Sequence, residues 1–189
     1  MPGLVLGAAS AWLTWVLLAL GGQLGADPVD TLIDRFGKST LWLLVATMAC
    51  TPLQQWLGWT WTARVRRALG LLTFAGATLH IGTYALVDQQ LDLGVLLDDV
   101  TKRPFITWGF FAFVLMVPLA VTSTNGWVKR LGFRVWKRLH RLVYVVVALG
   151  VLHFLLRVKK DVTEPLVFGA VFAALLLARV VWAVRPARR

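Results

Sequence analysis

The three histidines of this 189-residue chain are the side chains best suited to carry chemistry, because each lies in or at the edge of a long apolar segment. They are His80, His140 and His153. An ionisable group at membrane depth costs free energy and is a functional candidate by default. Neutral imidazole is also the commonest protein ligand for a metal ion. The histidines therefore point to a metal or metal-cofactor site inside a membrane.

His80 and His153 are expected at a similar depth. Each lies a few residues before the end of its own apolar segment, and the two segments are predicted to run in the same direction. At about 1.5 Å per residue, both imidazoles fall in the same half of a bilayer, where they could bind one iron from opposite faces. Haem iron accepts axial histidines, so the pair is typical of a transmembrane electron wire. The alternative is a hydrogen bond between helices.

Small residues one turn before these histidines favour a flat macrocycle between the helices. Gly76 and Ala77 precede His80, and Gly150 precedes His153. Small residues also serve ordinary packing between membrane helices, so this pattern supports the haem hypothesis without deciding it.

His140 is expected near the opposite membrane surface, because it lies 13 residues before His153, or about 19–20 Å along an ideal helix. The same spacing leaves the two side chains about 140° apart, so either the helix is locally distorted or the two histidines use different faces. The position 14 residues before His80 is Arg66, so a second haem could not be bis-histidine within this chain. It could be five-coordinate through His140, take a methionine or a non-protein ligand, or be absent. His140 could also be a simple interfacial side chain.

Arginines near this surface offer partners for an anionic cofactor. Arg66, Arg67, Arg138 and Arg141 could pair with haem propionates or with the phosphate of a flavin, because guanidinium groups suit planar anions. Membrane topology alone also explains basic residues here.

The elements that must position these residues are membrane helices. Hydrophobic residues make up 58% of the chain and charged residues 15%, against about 45–50% and 25% in soluble domains. Lipid cannot satisfy backbone hydrogen bonds, so helices are the default. We predict an all-α membrane protein, a six-helix bundle in one domain. Its spans of about 20 residues are 4–24, 39–57, 69–87, 105–122, 139–156 and 165–184.

Charge orients this bundle. Twelve Lys and Arg residues and no acid occupy the loops 57–69 and 122–141 and the C-terminal tail, whereas all nine acids lie in the alternate loops. The positive-inside rule then places both termini in the cytoplasm. It also explains the net charge of +11, so no nucleic-acid partner is expected. The sequence has no zinc-protease motif or phosphate loop, and no carboxylate inside a span for proton relay.

Five segments together resemble the MsrQ (formerly YedZ) family of the ferric-reductase-like transmembrane group. They are 41–52, 67–80, 102–109, 118–123 and 131–144, followed by His153. The resemblance implies that residues 1–189 form one ferric-reductase-like transmembrane domain. In that group the third and fifth helices supply paired histidines to stacked b-type haems. His80 and His153 map onto the outer pair and His140 onto the inner helix-five ligand, whereas Arg66 stands where the group has the inner helix-three ligand.

The resemblance also implies a function. MsrQ is the haem-binding subunit of the bacterial periplasmic methionine sulfoxide reductase system, in the inner membrane. One or two haems b would carry electrons from the quinone pool or a cytoplasmic flavin reductase to a periplasmic molybdenum-dependent (MsrP-like) reductase. FMN is also associated with the family, although no motif here locates it. The chain would be a redox subunit rather than a complete enzyme. The alternatives are a structural membrane anchor and a stand-alone ferric or small-molecule reductase.

Overall fold

The computed structural model describes residues 25–185, which are almost entirely helical and contain no strand. The predicted first span, 4–24, lies outside this region. A π-helical turn, Thr83–Asp88, continues the second helix. The α-helices of the described region are α1 (Pro28–Leu57), α2 (Trp61–Gly82), α3 (Leu93–Lys102), α4 (Pro104–Val121), α5 (Asn125–Leu131), α6 (Phe133–Leu139), α7 (Leu142–Arg157) and α8 (Thr163–Val184).

Four stretches of the described chain are long and apolar enough to cross a membrane. Large apolar side chains such as Leu177 (62% exposed) and Val180 (58%) face outward from them, as expected of a surface that contacts lipid. The prediction of an all-helical membrane protein is therefore confirmed, whereas six spans and cytoplasmic termini stay predictions. The four stretches, which match predicted spans three to six, are Trp61–Asp88, Pro104–Val121, Phe133–Arg157 and Thr163–Val184.

Helix α1 is longer than the predicted span 39–57, because the segment before residue 39 is helical rather than a loop. The Asp27 side chain caps the helix by accepting a hydrogen bond from the Asp30 amide at 3.0 Å, and Pro28 fits the first turn. Charged residues in this first part hide it from a hydropathy pattern. The other end is set by Gly58, which adopts φ +70°, a conformation that glycine allows.

Two helix pairs build the core. Helix α1 packs along α2 and α4 packs along α7, while α8 lies against α1 and α7. The hydroxyl groups of Thr47 and Thr73, 3.4 Å apart, add a polar contact between α1 and α2. The buried apolar cluster consists of Leu41, Leu44, Met48, Ala77, Met116, Val146, Val147, Phe154, Phe168 and Phe172.

Ion pairs join two of the three acidic segments at one end of the bundle, which is called the acidic end. Arg157 at the end of α7 binds Asp34 at 2.7 Å and Asp30 at 2.8 Å, both in α1. Lys38 of α1 binds Asp34 at 3.2 Å and Glu164 of α8 at 2.6 Å. Three helices are thus tied together. The acidic end comprises residues 27–38, 83–103 and 157–164.

The opposite end carries the basic segments and is called the basic end. Arg67 Nη1 donates to Asn125 Oδ1 at 2.8 Å, which joins α2 to α5. Trp56 Nε1 donates to the Ala178 carbonyl at 3.1 Å, which joins α1 to α8. The separation of charge along the sequence is therefore a separation in space. The basic end comprises residues 57–67, 122–141 and 179–185.

An arginine within α8 compensates for a proline within α1. Pro52 has no amide hydrogen, so the carbonyl of Met48 lacks its helical donor. Arg179 donates from Nη2 to this carbonyl and from Nη1 to the Tyr144 hydroxyl at 3.0 Å. An unsatisfied carbonyl costs several kcal/mol in lipid, so Arg179 stabilises the contact of α8 with α1.

We expect Arg179→Leu to lower the free energy of unfolding by about 2–3 kcal/mol, because it leaves the Met48 carbonyl without a donor. In a Pro52→Ala background the helix supplies its own donor, so the same substitution should cost clearly less. Tyr144→Phe removes only the other partner and is the control. Thermal unfolding of the purified variants in detergent measures these costs, and equal costs in both backgrounds would contradict the assignment.

Asp34 is the shared acid of the acidic end, with a side chain that is 30% exposed. Asp34→Asn should lower the free energy of unfolding by about 1–2 kcal/mol, because it breaks pairs with both Arg157 and Lys38. The matched control is Asp98→Asn, which breaks an exposed pair with Lys102 and should cost less than about 0.5 kcal/mol. Unfolding measurements at low salt compare the two, and indistinguishable losses would show that the network does not stabilise this end.

Candidate functional site

His80 and His153 lie together near the acidic end. His80 is on α2 and His153 is on α7, and their ring centres are 5.9 Å apart with the ring planes at 82°. These are the two histidines that the sequence placed at one depth. Two imidazoles from different helices thus meet between the two helix pairs of the core.

A backbone carbonyl of a neighbouring helix fixes each ring. His80 Nδ1 lies 2.8 Å from the carbonyl oxygen of Ile33 in α1, and His153 Nδ1 lies 2.6 Å from that of Phe105 in α4. A carbonyl can only accept, so each Nδ1 carries the proton and donates it. In a neutral ring Nε2 then has the free lone pair. This is the tautomer of a histidine that binds a metal through Nε2, with the other nitrogen held by a backbone acceptor.

Two glycines allow this close approach of ring to helix. A Cβ built on Gly37 of α1 would lie 3.1 Å from Cε1 and 3.2 Å from Nδ1 of His80. A Cβ built on Gly109 of α4 would lie 2.7 Å from Nδ1 and 3.0 Å from Cε1 of His153. A side chain at either position would push the ring away from its carbonyl.

The two halves of the site are built alike. Gly37 lies four residues after Ile33, and Gly109 lies four after Phe105. Each glycine precedes its histidine by nearly the same distance, 43 residues in the first half and 44 in the second. This repeated spacing is the signal that could have revealed the glycines, which reasoning from the sequence missed.

The donor set fits a haem better than a metal held by protein alone. Between residues 25 and 185, no group of three or more His, Cys, Asp or Glu side chains could hold a metal ion. A structural zinc site needs four such ligands, whereas a haem macrocycle leaves only axial positions for the protein. With metal–nitrogen bonds of about 2 Å, the 5.9 Å between the ring centres has room for one metal atom between the imidazoles.

Charged groups act on this pair without bonding to it. Arg157 and Asp34 both act on His80, and Arg157 also acts on His153. Because Arg157 and Asp34 form an ion pair with each other, their opposite fields partly cancel at His80. Both imidazoles therefore lie close to charge, while each Nδ1 bonds to a backbone carbonyl rather than to a charged group.

His140 occupies a separate position at the basic end. Its Nε2 lies 3.1 Å from Thr122 Oγ1, and its ring stacks on Trp136 with ring centres 4.0 Å apart. The Thr122 hydroxyl donates its own hydrogen to the Pro118 carbonyl at 2.6 Å, so His140 Nε2 must be the donor. In this arrangement Nδ1, rather than Nε2, is the nitrogen of His140 with a free lone pair.

The helix carrying His140 and His153 is locally distorted, which was one of the two alternatives drawn from their spacing. Helix α6 ends at Leu139 and α7 begins at Leu142. Between them the Arg141 amide donates to the Arg138 carbonyl at 3.1 Å, a bond of the tighter 3₁₀ type. Each 3₁₀ step turns the chain by about 120° instead of about 100°, so the two histidines lie closer in angle than on an ideal helix.

The arginines singled out from the sequence are spread over the basic end. Arg66 donates to Thr51 Oγ1 at 3.2 Å and Arg141 is exposed. The charges of Arg66 and Arg67 both act on His140. Arg66, which stands fourteen residues before His80, is thus near His140 in space. It occupies the position where a second histidine ligand was considered.

The small residues one turn before the histidines are buried or face a neighbouring helix. Gly150 faces the Leu41 side chain, at 3.8 Å from a Cβ built there. Ala77 belongs to the buried apolar cluster, and Gly76 is buried in α2. The glycines in contact with the histidine rings are instead on the neighbouring helices.

Comparison with known proteins gives this site a context. The profile of the family described as ferric reductase like transmembrane component matches residues 36–151. Three relatives carry the name protein-methionine-sulfoxide reductase haem-binding subunit MsrQ. The protein from Herminiimonas arsenicoxydans is 50% identical over 88% of this chain and 78% of its own length. That from Deinococcus radiodurans is 51% identical over 94% and 88%, and that from Caulobacter vibrioides 49% over 92% and 81%.

No solved structure matches this chain. The family profile and the relatives nevertheless agree with the resemblance read from the histidine-bearing segments. The profile covers residues 36–151, and the three relatives cover 88–94% of the chain at 49–51% identity. The chain therefore belongs to the MsrQ family, within the ferric-reductase-like transmembrane proteins.

Proposed function

We propose that this chain is a transmembrane electron-transfer subunit that holds a b-type haem between His80 and His153. The observation that carries the proposal is the meeting of these two rings, 5.9 Å apart, each with Nδ1 held by a carbonyl and Nε2 free. The names of the relatives support it, since they describe haem-binding subunits of methionine-sulfoxide reductase.

The residues around the rings would hold the group and keep water away. His80 and His153 would hold the haem through Nε2, and the carbonyls of Ile33 and Phe105 would keep both rings in the tautomer that leaves this nitrogen free. The Phe154 side chain is buried beside this region. A bound haem supplies reversible one-electron reduction, for which this site offers two fixed ligands and little solvent.

The direction of transfer follows from the proposed topology. We place six spans in the bacterial inner membrane, with both termini and the basic end in the cytoplasm, as the positive-inside rule requires. The His80–His153 pair is then on the periplasmic side. Electrons would enter from quinol or a cytoplasmic flavin reductase and leave to a periplasmic molybdenum-dependent (MsrP-like) methionine sulfoxide reductase.

A second cofactor would sit at the basic end. His140 is its candidate ligand, through Nδ1 or after its ring releases Thr122, and Arg66 and Arg141 are candidate partners for propionates or for an FMN phosphate. The donor set there has one histidine. A second haem at this position would therefore differ from the first in ligation.

A structural anchor without redox function is the second candidate, and one observation favours it. The Nδ1 bonds of His80 and His153 are hydrogen bonds between helices, which is the role that an anchor would give these residues. That role does not require the two rings to meet. A haem-free spectrum of the purified protein would support the anchor.

Substitution of the histidines separates the two sites. His80→Ala and His153→Ala should each remove the same b-type signal, because each removes one axial ligand of one haem. His140→Ala should leave that signal unchanged. Dithionite-reduced minus oxidised spectra, with haem counted by the pyridine haemochrome method, measure this outcome. Loss of different signals from His80→Ala and His153→Ala would refute their pairing.

The identity of the electron acceptor can be tested with the whole protein. Chemically reduced protein should be reoxidised rapidly only when the periplasmic molybdenum-dependent reductase is present, and a methionine sulfoxide substrate should let a small amount of that reductase reoxidise all of it. Stopped-flow absorbance follows the reoxidation, with a ferric chelate alone as the comparison. Equally rapid reoxidation by the chelate would indicate a stand-alone ferric reductase instead.

A further inference from the structure

We propose that Gly37 and Gly109 are positioning residues, which set the orientation of the two haem-ligating imidazoles by leaving a helix carbonyl open to each ring. This inference rests on the proposed function, because it concerns the ligands of the same haem. It goes further by naming what determines the geometry of those ligands. The two glycines lie on α1 and α4, whereas the histidines themselves lie on α2 and α7.

The direction of side chains on a helix explains why glycine is needed four residues after the carbonyl. Each Cα–Cβ bond tilts toward the helix N-terminus, so a side chain covers the turn before its own residue. The residue that would cover the carbonyl of Ile33 is therefore Gly37, and the one that would cover that of Phe105 is Gly109. Without a Cβ there, each carbonyl can accept both its helical amide and an incoming imidazole.

The contacts that a Cβ would make at the two glycines predict unequal effects of alanine substitution. At Gly109 a Cβ would lie 2.7 Å from His153 Nδ1, so the ring or the helix must move. At Gly37 the closest ring atom would be 3.1 Å away, and a shift of a few tenths of an ångström would relieve the contact. Gly109→Ala should therefore displace the His153 ring, whereas Gly37→Ala should only reorient the His80 ring.

The angle between the two ring planes gives a spectroscopic readout that a mere loss of stability would not change. The ring planes are nearly perpendicular, at 82°. In a low-spin ferric haem the angle between the axial imidazole planes affects the splitting of the iron d orbitals, and with it the largest g value of the electron paramagnetic resonance spectrum. Rotation of one ring away from its carbonyl should change that value even when haem stays bound.

The test compares four glycine-to-alanine variants of the full chain purified with haem. Gly109→Ala should bind haem about 10-fold more weakly or worse, the usual scale for losing support behind a metal ligand. Gly37→Ala should keep haem but shift the largest g value and the midpoint potential. The controls are Gly70→Ala and Gly169→Ala, where a Cβ would meet Thr47 at 3.8 Å and Val151 at 3.5 Å, and both should resemble the parent protein.

A double substitution guards against a general folding defect. In haem-free protein Gly109→Ala should lower the Tm by several degrees, because the new methyl group meets the His153 ring. In a His153→Ala background that ring is gone, so the same substitution should leave the Tm unchanged or raise it. An equal Tm loss in both backgrounds would overturn the positioning role of Gly109.

The outcomes separate this inference from the proposed function. A parent protein that binds no b-type haem would remove the proposed function and this inference with it. A parent protein that binds haem, with Gly37→Ala and Gly109→Ala indistinguishable from the two control variants, would overturn this inference alone. Weaker haem binding by Gly109→Ala with a changed g value in Gly37→Ala is the result that supports it.

Discussion

The hydrogen bond from a half-buried imidazole Nδ1 to the carbonyl of a neighbouring helix is the interaction on which this site depends. It occurs twice, from His80 to Ile33 and from His153 to Phe105. A polar ring in apolar surroundings needs such a partner, and the choice of a carbonyl selects the tautomer with a free Nε2. The bond in turn requires that each histidine helix pack tightly against the helix that supplies the carbonyl, as α2 does on α1 and α7 on α4.

The same shortage of hydrogen-bond partners in lipid shapes the rest of the bundle. At Pro52 the guanidinium of Arg179 replaces the missing amide as the donor to the Met48 carbonyl. A charge within a membrane span would be costly without such a hydrogen-bond partner. At the basic end the Thr122 hydroxyl bonds the Pro118 carbonyl and thereby makes His140 the donor toward it. At both places a polar side chain supplies a hydrogen bond that lipid cannot provide.

Much of this architecture follows from patterns that a sequence displays directly. Apolar segments predict the helices, and the low frequency of ionisable groups within them draws attention to the histidines. The glycines were missed, because a glycine that acts on a ring 43 or 44 residues away leaves no local pattern. The early start of α1 was also missed, since its charged first turns depend on the Arg157 and Glu164 pairs that only the folded chain brings together. The spacing of His140 and His153 allowed a local distortion of their helix as one of two alternatives, and the 3₁₀ bond from Arg141 to Arg138 decides for it.

The proposed function requires that His80 and His153 both bind the same haem. Near-infrared magnetic circular dichroism of the oxidised protein tests it most directly, because the energy of the porphyrin-to-iron charge-transfer band depends on the axial ligand pair. The measurement should be made on His140→Ala, so that the acidic-end haem alone contributes. We expect a single band at the energy of bis-imidazole ligation, and a band of mixed ligation or of high-spin iron would rule out the pairing of His80 with His153.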